Sequence, residues 1–297
     1  MKKLSHERGV MSGSVVIGTH GLKNKPEKDL LARWWAMSLQ EGLQRNLGVV
    51  PPLAFELVYW ADIQYPTPIP EAELDNPYIT AGGQGPLLRY SGTALDTAKA
   101  IAGKWGGRII DKDKDLIGLD EHVDHLLGLA FDDLRDYYGK PEVRDRMRDR
   151  LTHTLHRHKN KRVCLIAHSM GSILAYDVLR MLEQRPPKIE HFVTIGSPLG
   201  LPIVTQHVQE EFSDTLVPQQ VRQWTNLADP GDEIVLDCNL SPDYRSAPGG
   251  IRVQDSLVHN DYIDRAGKRD LHNAYGYLRT PELSDIIRGF LDAGNGS

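Results

Sequence analysis

The run Val163-Cys164-Leu165-Ile166-Ala167-His168-Ser169-Met170-Gly171-Ser172 holds the residue best placed to do chemistry. A serine hydroxyl is a weak nucleophile until a neighbouring base takes its proton. Here an apolar strand runs straight into small-x-Ser-x-Gly, and a helix, Ile173–Leu182, follows at once. That spacing predicts a strained strand-to-helix turn that lifts the Ser169 oxygen above the sheet. Ala167 and Gly171 must be small because the helix passes close to the strand; Ala167 stands where glycine is commoner. A serine at a helix N-terminus also faces backbone N–H groups and the positive end of the helix dipole, both suited to developing negative charge.

The segment Ala167-His168-Ser169-Met170-Gly171 resembles the nucleophile elbow of the α/β-hydrolase superfamily, in particular its bacterial lipase- and esterase-like serine hydrolases, and the resemblance extends over nearly the whole chain. It implies a Ser-His-Asp triad read in the chain order Ser, Asp, His. The acid then falls in Asp229-Pro230-Gly231-Asp232-Glu233-Ile234-Val235. Asp232 fits an Asp-x-aliphatic-Val loop, and Asp229, at a Pro-Gly turn, is its rival. For the base, His272 opens a His-x-x-Tyr stretch resembling the one before the family's final helix, and His259, at a strand end, is the alternative. The segment Gly18-Thr19-His20-Gly21-Leu22 resembles the loop that supplies an oxyanion donor, which implies an oxyanion hole made by the N–H groups of Leu22 and Met170. His20 itself reads as a brace for that loop. The implied reaction is two-step acyl transfer on a small-molecule carboxylic ester, without cofactor or metal. A thioesterase, an acyltransferase and a non-catalytic acyl- or lipid-binding relative are the alternatives.

These residues need a scaffold, and the rest of the sequence describes one. Short apolar runs alternate with longer helical stretches, the pattern of parallel strands joined by crossover helices. The runs are Ser14–Ile17, Phe55–Trp60, Val163–Ala167, His191–Ile195, Val221–Asn226 and Ile251–Val258. Helices are predicted at Glu27–Asn46, Pro141–Lys159, Gly171–Gln184 and Pro281–Leu291, the last capped by Thr280 with proline at its first position. The expected fold class is α/β, a mostly parallel central sheet with helices on both faces (the α/β-hydrolase fold), as a single domain over residues 1–297.

Residues 63–140 are irregular, with Pro66, Pro68 and Pro70, a Gly82–Gly85 run and two helical patterns at Thr93–Trp105 and Asp115–Tyr138. They read as an inserted cap over the site, or as padding on the sheet edge. Their apolar stripe, Ile117 to Tyr138, suits an acyl pocket or simple core packing.

Composition narrows the function classes. The 297 residues are 40% hydrophobic and 25% charged, with 35 basic against 40 acidic residues and a net charge of -5, so there is no basic footprint for nucleic acid. No stretch is long and apolar enough to span a bilayer. Two cysteines, Cys164 and Cys238, make no disulfide framework, and a cytoplasmic setting is the expectation. Metal readings fail on spacing. Asp111, Asp113 and Asp115 begin like a calcium loop, but Leu116 and His122 stand where glycine and glutamate are needed. His122, His125, His153, His156 and His158 have helical spacing but no partner cysteine or glutamate motif, and read as polar helix faces. The glycine run lacks the Lys-Ser/Thr of a phosphate loop. Oligomeric state is not encoded in any pattern found.

Overall fold

The computed structural model describes residues 13–74, 77, 85–92, 133–182, 187–235, 238–246 and 249–295. Six parallel strands form one sheet: β1 (Ser14–Thr19), β2 (Phe55–Val58), β3 (Arg162–His168), β4 (Ile189–Ile195), β5 (Trp224–Ala228) and β6 (Val253–Leu257), in the order β2-β1-β3-β4-β5-β6. The helices accompanying them among the described residues include α1 (Lys28–Leu47), α2 (Pro141–Arg157), α3 (Met170–Met181), α4 (Pro202–Phe212), α5 (Ala274–Arg279) and α6 (Pro281–Asn295). Residues 133–139 are also helical.

Side chains alternate across the strands with period two, and the alternation divides the core into two layers. Val15, Ile17, Val163, Leu165 and Ala167 face α2, α3 and α4. Val16, Cys164 and Ile166 face α1, α5 and α6. Strands covered on both sides must be apolar at nearly every position, which is why β1, β3 and β4 stand out in the sequence. Each fully buried aliphatic side chain contributes about 1.5–3 kcal/mol, and the central strands supply many.

Chain direction determines where the site lies. From β1 the chain moves outward through α1 to the edge strand β2, then returns through α2 on the opposite face to β3. A right-handed crossover requires that change of face when the direction reverses. The connections leaving β1 and β3 therefore diverge, and a crevice opens at the carboxyl ends of these strands, the usual ligand position in open α/β sheets.

Several boundaries differ from the sequence reading. The second run ends as a strand at Val58, because Trp60 turns into a short 3-10 helix, Ala61–Ile63. Val221 closes a turn, donating its N–H to Pro218 O at 3.1 Å, and makes only an isolated parallel bridge to Ile189, so the continuous strand β5 starts at Trp224 and runs to Ala228. Helices α4 and α5 were not anticipated. The α6 start agrees with the sequence: Thr280 Oγ1 accepts from Leu283 N–H at 3.4 Å. Of the expected cap, Leu126, Leu129, Phe131 and most of the apolar stripe lie outside the described residues. Tyr137 is fully buried and donates to Asp177 Oδ2 at 2.7 Å, within a network that includes Arg148, while Tyr138 stacks on His207.

Candidate active site

Ser169 follows the last residue of β3 and precedes α3, with φ 53° and ψ -131°. A non-glycine residue held at positive φ costs on the order of 1–3 kcal/mol, so its surroundings must impose it. They do so from three directions. Ser169 N–H donates to Ile195 O at 3.1 Å, and its carbonyl accepts from Ser172 N at 2.8 Å and Ser172 Oγ at 2.5 Å. Beneath the turn, a Cβ on Gly171 would stand 2.4 Å from His20 O and 2.8 Å from Thr19 O. The helix start is thus pressed against the end of β1, and only glycine fits there.

His272 lies between Ser169 and Asp232. Its Nε2 is 2.9 Å from Ser169 Oγ, and its Nδ1 is 2.9 and 3.0 Å from the two Asp232 oxygens. A carboxylate only accepts, so Nδ1 carries the proton and Nε2 is left as acceptor for the serine O–H, an assignment that follows from the network. Asp232 is fully buried. It also accepts from Ile234 N–H at 3.0 Å and from Tyr277 Oη–H at 2.8 Å. Burial raises the Tyr277 phenol well above its ordinary pKa, so it remains a donor.

The two rivals have other partners. Asp229 accepts from Gly231 N–H at 2.7 Å and Asn260 N–H at 2.6 Å, closing the turn after β5, and burial raises its carboxyl. His259 Nε2 accepts from the Arg269 guanidinium at 3.0 Å. Neither is hydrogen-bonded to Ser169 or His272.

The loop after β1 is organised by His20. Its Nε2 accepts from Trp60 N–H at 3.1 Å, which leaves Nδ1 to donate to Gly21 O at 2.8 Å. Burial, followed by the charge of Lys25, lowers its pKa to about 3, so the ring is neutral. In a trans peptide the C=O and N–H point in opposite directions. Fixing Gly21 O therefore turns Leu22 N–H the other way. Met170 N–H, at the first position of α3, has no intrahelical acceptor. Neither amide has a hydrogen-bond acceptor among the described residues. Gly21 lets the loop approach: a Cβ there would lie 2.7 Å from Ser169 Cβ.

Three residues that the sequence reading gave no role at the site also support it. His168 Nε2 donates to His272 O at 2.8 Å, and burial followed by the charge of His272 holds its pKa well below the usual imidazole range. Asn260 Nδ2 donates at 2.9 Å to both Leu271 O and Asn273 O, the carbonyls flanking His272. Tyr277 is the third. Their only trace in the sequence is proximity: His168 is beside the serine, Asn260 follows the rival His259, and Tyr277 follows the candidate base.

A cavity of about 330 Å³ opens at Ser169 and His272, with Leu31, Trp34, Trp35 and Leu74 among its apolar walls. Among the described residues no group of His, Cys, Asp and Glu could hold a metal ion, and no helix is long and apolar enough to cross a membrane. His153 and His156 Nδ1 bond carbonyls of their own helix, and His158 bonds Glu56; His122 and His125 lie outside the described residues. Cys164 is a packed thiol, pushed up to about 12 by burial.

Comparison with known proteins adds one finding. The profile of a family described as a PGAP1-like alpha/beta domain matches residues 130–264 and points to a hydrolase-type function. That span contains Ser169 and Asp232 and stops before His272. No curated protein matches the chain.

Proposed function

We propose that the chain, whose all-parallel sheet and PGAP1-like segment are consistent with the α/β-hydrolase fold, is a serine hydrolase acting on carboxylic esters through Ser169, His272 and Asp232. The observation that carries this reading is the unbroken chain of hydrogen bonds from Ser169 Oγ through His272 to Asp232. His272 Nε2 takes the serine proton as Oγ attacks the ester carbonyl, and Asp232 holds the ring and stabilises the imidazolium. The oxyanion is received by Leu22 and Met170 N–H, each such donor contributing about 3–4 kcal/mol to the transition state. The alcohol leaves with the proton from His272. Water, activated by the same imidazole, then attacks the acyl-enzyme and releases the acid.

The apolar walls at Trp34, Trp35 and Leu31 suit the hydrocarbon part of such a substrate. Two assays test the reading: release of nitrophenol from a short 4-nitrophenyl ester, and labelling by a fluorophosphonate, which requires an activated serine. Turnover with labelling at Ser169 is the expected result. A purified, folded protein that does neither contradicts it, and faster cleavage of a matched thioester would move the substrate class to thioesters.

A further inference from the structure

Loop 20–26 brings two ammonium groups to the cavity that the acyl-transfer steps do not use. Lys23 and Lys25 both line it, with Asn24 between them. Lys23 adopts φ 70° and is held there by its N–H, which donates to Asp133 Oδ2 at 2.9 Å. The other Asp133 oxygen accepts from Tyr65 Oη at 2.8 Å, so that carboxylate is engaged elsewhere and forms no ion pair with either lysine among the described residues.

Lys25 is pinned along its backbone. Its N–H donates to Asn24 Oδ1 at 2.8 Å, and its carbonyl accepts from Ile69 N–H at 2.9 Å. The half-buried side chain turns back so that Nζ donates to Leu22 O, inside the same loop. Its other ammonium hydrogens have no protein partner among the described residues. Burial, then the charge of Lys23, lowers the Lys25 pKa to about 8, with Asp133 partly opposing. The Lys25 charge in turn adds to the lowering of His20 and His168, which line the same cavity. Asp270 is the carboxylate on the cavity wall, and its oxygens accept from His272 N–H and Asn273 Nδ2, each at 3.2 Å.

A partly buried ammonium with no ion-pair partner among the described residues is costly, and a cavity lined by one together with the Ser169 nucleophile is complementary to a ligand that brings an opposite charge. We propose that Lys25, with Lys23 and Asn24, forms a specificity-determining subsite for an anionic group, carboxylate or phosphate, carried by the ester substrate close to its scissile carbonyl. This rests on the reading of Ser169 as the nucleophile. The apolar walls take the hydrocarbon part, and the loop takes the charge.

The kinetic test compares two esters of nearly equal size, mono-4-nitrophenyl glutarate and 4-nitrophenyl valerate. The wild type favours the glutarate in kcat/KM. In Lys25→Met that preference falls about tenfold or more, as expected for losing a charged hydrogen bond. In the wild type it also declines as pH rises through about 8, where the amine loses its proton. Equal losses on both esters, with the preference intact, would overturn the subsite and leave Lys25 as a brace for Leu22.

Calorimetric titration of Ser169→Ala with glutarate and with inorganic phosphate needs no turnover. Binding that disappears in Ser169→Ala/Lys25→Met supports the subsite, and the tighter anion identifies the group. Binding of neither anion, with the valerate ester still hydrolysed by wild type, overturns the subsite and leaves the esterase reading standing. Anion binding without hydrolysis of either ester supports the subsite and overturns the esterase reading.

Discussion

Replacing Tyr277 with Phe removes one oxygen atom and two hydrogen bonds, and the structure allows its consequences to be worked out separately for stability and for rate. Tyr277 Oη donates to Asp232 Oδ2 at 2.8 Å and accepts from Asp229 N–H at 3.0 Å. Both partners are buried. The orphaned Asp229 N–H costs about 1–3 kcal/mol, and the lost bond to a charged carboxylate about as much again, partly compensated because Asp232 keeps Ile234 N–H and His272 Nδ1–H. A net loss of about 3 kcal/mol corresponds to roughly 5 °C in Tm for a chain of this size. For catalysis, Tyr277 touches no reacting atom. It positions Asp232, so kcat falls about tenfold while KM changes little. Differential scanning calorimetry and steady-state hydrolysis of 4-nitrophenyl butyrate measure the two effects. A thousandfold fall in kcat with Tm unchanged would refute this reasoning, because it would make the phenol part of the chemistry and not part of its support.

Other expected outcomes follow from the same contacts. His272→Ala loses about as much kcat as removal of the nucleophile, on the order of 10⁶-fold, whereas His259→Ala, which loses only its Arg269 partner, stays within a few-fold; short-ester kinetics with a folding control decide the ranking. Asp232→Asn lowers kcat by about 10⁴-fold by stabilising the wrong imidazole tautomer, while Asp229→Asn chiefly lowers Tm by weakening the turn bonds to Gly231 and Asn260. Gly171→Ala forces a Cβ to within 2.4 Å of the His20 carbonyl, so either folding or fluorophosphonate labelling is lost, as a gel assay on the soluble fraction shows. Acid destabilises the fold: His20 and His191 titrate near 6.5 when unfolded but at about 3 and about 4 when folded. The unfolded chain therefore binds more protons below pH 6.5, and each imidazole removes about 2 kcal/mol between pH 6.5 and 4.5. The raised carboxyls of Asp177 and Asp229 oppose this in part. Urea midpoints across that range measure the balance.

How far the sequence could be read depends on how local each signal is. The central strands are legible because burial on both faces removes polar residues from them, as at Val163–Ala167. Helix α4 is not, since Val204 and Val208 are the buried positions among its eleven residues. Helix α5, at six residues, is too short to show a period. Val221 misplaced the start of β5 because it is buried and apolar yet makes only an isolated bridge to Ile189 at the end of a turn, and burial carries no information about how far a ladder continues. The Ser169 elbow is contiguous in the chain and announces itself. The choices between Asp229 and Asp232, and between His259 and His272, depend on how loops from β5 and β6 fold back over the sheet, which no local pattern encodes. The structure brings Asp232 and His272 to each other and gives Asp229 and His259 different partners. The positions of Asn260, Tyr277 and Lys25 likewise depend on three-dimensional closure of loops.

The central claim is that Ser169 carries the acyl group. Mixing the protein with excess 4-nitrophenyl butyrate, quenching in acid within the first turnover and mapping the digest by mass spectrometry reads that intermediate directly. The account predicts a butyryl adduct on the peptide bearing Ser169, a matching burst of nitrophenol, and neither in Ser169→Ala. Steady hydrolysis without an adduct on that peptide, or a Ser169→Ala protein retaining a tenth of the activity, would contradict it.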